Sequence, residues 1–319
     1  MRMGADGALD LVRFGVGASG SVAVDDEIVA AEGLEGLLVA RGCTSESRQQ
    51  AWHDAYTATA GRAVVAIHEL ASALTVLQEG GFEVVLLPGA ALLRFYPDAG
   101  CRPMDDIDLL CAPGQSTAVA QVLTSIGWAT TPRYPDLLNG RHVCVDLHED
   151  LFHCERIEGR RQAGWLDPRD VWSRRRRACV EGIEFWVLGA EDEVLYTAAH
   201  ALRHSYRRLT WLVDLALQLF DDDLDVRVLR DRGDASGLAR PVLFGLALLQ
   251  AARVDLPVEA LVWYRQCSPS AFELRLLRWM LDARQTTCVG EVLWYWTSPS
   301  PRSRMQLLLE FVFPRTEVL

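Results

Sequence analysis

Apolar residues recur at helical spacing along most of the chain, and a few short runs of continuous or alternating apolar residues interrupt them. Residues 1–44 are acidic and rich in Gly and Ala; one helix is predicted around DDEIVAAEGLEGLLVARG, and the first part of the segment is expected to be mobile. Ser45 can cap a long helix running through SESRQQAWHDAYTATAGRAVVAIHELASALTVLQEGG, which a glycine pair stops. FEVVLLPG, residues 82–89, reads as a buried strand ending in a turn, and AALLRFYPD as a short helix closed before Pro97. MDDIDLLCA is a second strand, and PGQSTAVAQVLTSIGWATT a helix entered through Pro113 and closed near Gly127. HVCVDLHED (142–150) alternates clearly and is a third strand; GIEFWVLG (182–189) is a fourth. After Ala190 the pattern is helical through EDEVLYTAAHALRHSYRRLTWLVDLALQLF, LARPVLFGLALLQAARV, AFELRLLRWMLDARQ and RSRMQLLLEFVF. The predicted plan is α/β (α+β): a helical N-terminal segment over 1–80, a core of small mixed sheet and flanking helices over 81–190, and a helical C-terminal domain over 191–319.

Composition narrows this picture. With 319 residues, 50% of them hydrophobic, the chain can bury one large core or two modest ones. No apolar run approaches a membrane span on this reading, the N-terminus lacks the apolar stretch of a signal peptide, and the eight cysteines contain no CxxC pair. A cytoplasmic protein with reduced, mostly structural thiols is expected, with no membrane partner. The net charge of −11 argues against a general nucleic-acid binder, which needs a basic surface. All 32 basic residues are arginine, which excludes Schiff-base, P-loop and kinase-type lysine chemistry. Any phosphate must be held by arginine, backbone N–H groups or a metal.

Candidate chemistry concentrates in CRPMDDIDLL, residues 101–110. In a strand, alternate side chains share a face, so Asp106 and Asp108 point one way and Asp105 the other. In HVCVDLHED the same rule sets Val143, Val145 and Leu147 on an apolar face and Cys144, Asp146 and His148 on the opposite one. If the two strands are neighbours, Asp146 faces Asp106 and Asp108. Converging carboxylates repel in a low-dielectric site, and a divalent cation relieves them; hard oxygen ligands suit Mg²⁺. The spacing of Asp106 and Asp108 alone favours a solvated strand end with turn-forming aspartates. The VDLH strand and the turn in LLPGAALLRF weigh toward a site: Gly89 admits close approach of a ligand, and a helix beginning near Ala90 would offer free N–H groups to phosphate.

Other residues have two readings each. His200 and His204 share a helix face, as do Arg203 and Arg207: a cationic wall, or an ordinary helix with hydrogen-bonded histidines. Arg174 to Arg177 read as a solvated face, with an anionic clamp as the other reading. Trp165, Trp172, Trp186 and Trp211 read as core, and Trp294 and Trp296 as partly exposed. Cys144 reads as a packing residue, having no base of its own.

The order of these blocks resembles the uncharacterised nucleotidyltransferase family of the DNA polymerase beta-like superfamily. The matching residues are Leu87, Gly89, Ala90 and Ala91; Tyr96-Pro97; Arg102-Pro103-Met104 with Asp106, Ile107, Asp108 and Leu109; and Val145-Asp146-Leu147-His148. His200, His204, Arg208-Leu209, Trp211 to Asp214 and Phe313-Pro314 extend the likeness. The resemblance implies a nucleotidyltransferase-type sheet carrying a metal-bound nucleoside triphosphate. Asp106 and Asp108 would ligate Mg²⁺ or Mn²⁺, with Asp146 as third ligand or as base. Gly89, Ala90, Arg102, His148, His200, Arg203 and His204 would lie around the nucleotide. The expected reaction moves a nucleotidyl group from an NTP to an acceptor, with a small molecule, peptide or protein favoured over RNA. Where relatives often carry Lys and Ser around the turn glycine, this chain has Pro88 and Ala90, which removes phosphate contacts. A weakly active or inactive nucleotide- or metal-binding module or scaffold is therefore the alternative reading, and a metal-dependent phosphodiester hydrolase a third.

Overall fold

The computed structural model describes residues 4–17, 26–43, 49–131, 134–154, 158–283 and 287–298, together with 301 and 305. The chain divides into two compact units: Met1–Val12, Phe152–Leu166 and Ala190–Leu319 form one, and Arg13–Leu151 and Asp167–Gly189 the other.

The second unit holds a mixed sheet of β1 (Val84–Leu86), β2 (Ile107–Cys111), β3 (Ala129–Thr131), β4 (Tyr134–Asn139), β5 (Cys144–His148), β6 (Arg176–Val180) and β7 (Ile183–Val187). Their spatial order is β3-β4-β5-β2-β1-β7-β6. β2 runs parallel to β5 and antiparallel to β1, and β1 runs parallel to β7. The three expected core strands and the fourth are β1, β2, β5 and β7, each shorter than its apolar run. β3, β4 and β6 are not foreseen.

One face of the sheet is the core. Val84, Leu86, Ile107, Leu109, Val145, Leu147, Phe185 and Val187 are buried there with Ala63, Ala66, Ile67, Leu70, Ala73 and Leu77 of the helix Gln49–Glu79. Full burial of each large aliphatic side chain contributes about 1.5–3 kcal/mol against exposure, so this face fixes which side of every strand looks outward. The expected cap at Ser45 lies outside the described residues. The helix is long and apolar enough, by length and composition, to cross a membrane, which corrects the expectation that no such run exists. Its many alanines raise its hydropathy, while the stripe just named packs on the sheet.

The N-terminal stretch expected to be mobile contains the helix Ala5–Val16, with Ala8, Leu11 and Val12 buried. The helix expected around residue 35 is two, Asp26–Glu32 and Glu35–Ala40.

In the first unit the buried helix Ala190–Arg203 is surrounded by Thr210–Gln218, Val226–Ser236, Ala239–Ala251 and Thr287–Thr297. The helix expected to continue past Arg203 breaks because Ser205 (φ 56°) and Tyr206 (φ 51°) turn left-handed before Thr210. The run RSRMQLLLEFVF falls outside the described residues except for Met305.

The tryptophans divide differently from expectation. Trp294 is fully buried and Trp296 is 58% exposed. Trp165, Trp172, Trp186 and Trp211 are only half-buried, and arginines cover three of them. The Arg175 guanidinium lies 4.6 Å from the Trp172 ring and 4.5 Å from the Trp186 ring, and Arg177 lies 3.9 Å from Trp186. Arg175 also pairs with Glu83 at 2.8 Å. The arginine run is therefore not a plain solvated face: it leads into β6 and roofs two indoles with cation–π contacts.

Candidate functional site

The parallel pairing of β2 and β5 sets Ile107 opposite Val145, Asp108 opposite Asp146, Leu109 opposite Leu147 and Leu110 opposite His148. Ile107, Leu109, Val145 and Leu147 enter the core, so Asp108, Asp146 and His148 share the other face. His148 Nε2 lies 3.1 Å from Asp108 Oδ1 and 3.8 Å from Asp146 Oδ2. The imidazole is 3% exposed, whereas each carboxylate is 23% exposed, so the nitrogen sits beneath and the acids open outward. Asp106 lies just before β2 and is exposed, as is Asp105. Burial first, then the Asp106, Asp146 and Asp108 carboxylates, push the Cys144 thiol up. Cys144 thus lies in the field of all three acids and stays a thiol, as its reading as a packing residue requires.

Contacts outside the sheet hold these strands in place. Glu69 of the helix Gln49–Glu79 accepts the backbone N–H groups of Arg141 and His142, which fixes the turn entering β5. At the other end of β5, the Glu149 carboxylate accepts from the backbone N–H and the hydroxyl of Ser116 and so caps the helix Ser116–Ser125. Before β2, a Cβ at Gly100 would lie 2.6 Å from the Tyr56 ring, so only glycine lets the chain leading to Asp106 pass there.

Leu87 N–H donates to Asp108 C=O at 3.0 Å, which brings the Pro88-Gly89 turn beside the acids. Gly89 has φ 137°, and nothing lies within 4 Å of where its Cβ would be, so the turn is open to a ligand. The helix expected from Ala90 is a five-residue 3-10 helix, Ala91–Phe95. That length carries little macrodipole, so the expected dipole seat for phosphate is reduced to the turn's own N–H groups. Neither Gly89 nor Ala90 donates to a backbone carbonyl among the described residues. Arg102 is buried at the head of the segment leading to Asp106.

Residues not foreseen lie at the strand entrance beside Asp106 and Cys144. A cavity of about 120 Å³ is lined by Thr59 and Arg62 of the long helix together with Met104, Asp106, His142 and Cys144. The available signal was Arg62, a lone charge in the apolar stretch TATAGRAVVAI.

His200, Arg203 and His204 belong to the other unit. The His200 and His204 rings are 4.6 Å apart, and both pack on Trp211. Arg203 Nη2 donates to His204 Nε2 at 3.2 Å, which requires that nitrogen to be unprotonated. Burial first, then the charges of Arg203, Arg207, Arg160 and Arg208, drive the His204 imidazole down to about 3. His204 is thus neutral at pH 7, which favours the second of its two readings, an ordinary helix histidine, over a place in a cationic wall.

Two carboxylates in register on neighbouring parallel strands, a third at the strand entrance and an imidazole beside them make a donor set able to hold a divalent cation. They stand on a mixed sheet with an open glycine turn alongside. The sequence profile of the uncharacterised nucleotidyltransferase family matches residues 27–252, and the chain belongs to that family. Among solved structures it is similar to an antigenic nucleotidyltransferase-like protein from Paracoccidioides brasiliensis, at 14% identity and a TM-score of 0.42, over 62% of this chain and 95% of that one. No curated protein matches it. Family membership supports a general role in nucleotidyl transfer.

Proposed function

We propose that this chain is a divalent-metal-dependent enzyme, acting in the cytoplasm, that transfers a nucleotidyl group from an NTP to a hydroxyl of a small molecule, peptide or protein. The observation that carries this reading is the register of Asp108 opposite Asp146 on the face away from the core. Asp106, Asp108 and Asp146 would hold Mg²⁺ or Mn²⁺, which when bound offsets triphosphate charge and polarises the reacting oxygens. The Gly89 turn gives the triphosphate room, and the turn's N–H groups and Arg102 would bind its oxygens. The acceptor oxygen attacks the α-phosphorus, pyrophosphate leaves, and the acceptor proton passes to a carboxylate of the set. Positioning and electrostatics do most of the work in such a reaction.

Pro88, which has no N–H, and the short 3-10 helix favour a second reading, a binding module that holds metal and nucleotide without transfer. One assay separates the two. Label from α-labelled NTP, but not from γ-labelled NTP, should pass to an acceptor in cell extract, and the Asp106→Asn, Asp108→Asn double variant should abolish transfer. Cation-dependent NTP binding without label transfer would instead leave the binding module.

A further inference from the structure

We propose that His148 is a direct cation ligand through Nε2, and that the site therefore prefers Mn²⁺ to Mg²⁺. The inference rests on the cation-holding role given above to Asp108 and Asp146. It concerns the identity of the donor atoms.

Neighbouring donors on one octahedral ion, at bond lengths of about 2.0–2.2 Å, stand about 3 Å apart, and tetrahedral ones somewhat farther. His148 Nε2 stands 3.1 Å from Asp108 Oδ1 and 3.8 Å from Asp146 Oδ2. Each of these two spacings suits a pair of neighbouring donors on one ion. The strand pairing enforces this: Asp108 and Asp146 are register partners, and His148 follows Asp146 by two residues on the same face. Burial adds to it. With its side chain 3% exposed, the imidazole has little freedom to swing away, whereas both carboxylates keep an open side for substrate oxygens.

Donor chemistry decides the metal. Mg²⁺ takes oxygen almost exclusively, while imidazole suits later and softer divalent ions. Two carboxylates with one imidazole accept Mn²⁺ readily and leave positions for phosphate oxygens. An all-oxygen site would show a weaker preference and no histidine nitrogen coupling. If His148 only oriented Asp108 through a hydrogen bond, it would stay off the ion.

The test uses the full chain and the metals alone, read by calorimetry and by electron spin echo envelope modulation of bound Mn²⁺. Wild type should bind Mn²⁺ about tenfold or more tighter than Mg²⁺ and show a histidine nitrogen coupling. His148→Ala should lose the coupling and most of that preference. Should that variant fail to fold, His148→Gln, which keeps the volume and a polar head, serves the same comparison. Mn²⁺ bound without nitrogen coupling, or with a coupling that survives in the variant, overturns the ligand assignment and leaves the proposed function standing. A wild type that binds neither ion, with or without NTP, overturns both.

Discussion

Glu69 offers a quantitative check on how the helix Gln49–Glu79 sets β5 in place. Its carboxylate accepts two consecutive backbone N–H groups, from Arg141 and His142. Hydrogen bonds to a charged group contribute about 1.5–3 kcal/mol each, but these two are solvent-exposed and water replaces part of that, leaving about 1 kcal/mol apiece. Glu69→Ala should therefore cost about 2 kcal/mol, or about 4–8 °C in Tm for a unit of this size. A second perturbation reaches the same contact from the other side. A Cβ at Gly140 would lie 2.4 Å from Glu69 Oε1 and 3.1 Å from Trp128. Gly140→Ala should displace the carboxylate in the native background, yet meet only the tryptophan once Glu69 is alanine. The two substitutions should thus be strongly non-additive, with a coupling of about 1 kcal/mol or more. Urea denaturation of the wild type, both single variants and the double variant, followed by circular dichroism, measures it. Additive costs would refute the clamp, and so would a Glu69→Ala variant as stable as wild type.

The neutral His204 predicts an acid-side loss of stability. Burial and the neighbouring arginines hold its imidazole down to about 3 in the fold, against about 6.5 for a free imidazole. Between those values the unfolded chain binds a proton that the folded chain does not, so the stability present above pH 6.5 drains as pH falls toward 3. Urea midpoints from pH 7 to pH 4 should fall more steeply in wild type than in His204→Asn, and parallel curves would refute the assignment. At the arginine roof, Arg175→Ala removes the pair with Glu83 and contacts to two indoles, and should cost about 1 kcal/mol while changing tryptophan emission. Arg175→Lys should restore only part of this, since an ammonium lacks the flat face that stacks on both rings; full rescue by lysine would contradict the stacking.

The interior of the sheet was legible because both rules that govern it are local. Alternation in VCVDLH and IDLLC fixes which residues face the core, and Val145, Leu147, Ile107 and Leu109 lie where that rule puts them. The same parity leaves Asp108, Asp146 and His148 together on the opposite face. What sequence did not carry is the outer strands. β6 begins with arginines and is an edge strand, where charge is tolerated; β4 lies inside the sheet and carries Pro135 one residue into the strand, beside a register shift in its pairing with β3. The Glu69 clamp and the cavity at Arg62 depend on contacts between residues about forty to eighty-five positions apart, which no local period encodes. The two readings of His204 stayed open for a related reason: its charge state is set by burial and four arginines gathered by the fold. Trp172 and Trp186 were misjudged because guanidinium stacking replaces burial there.

The most direct test of the central claim is calorimetric titration of the full chain with NTP, with and without Mg²⁺ or Mn²⁺, for wild type and for Asp146→Asn. The account predicts that nucleotide binds wild type only when the cation is present, and that the asparagine variant weakens this binding by about tenfold or more. Nucleotide binding of equal strength in chelator, or unchanged in Asp146→Asn, would contradict it.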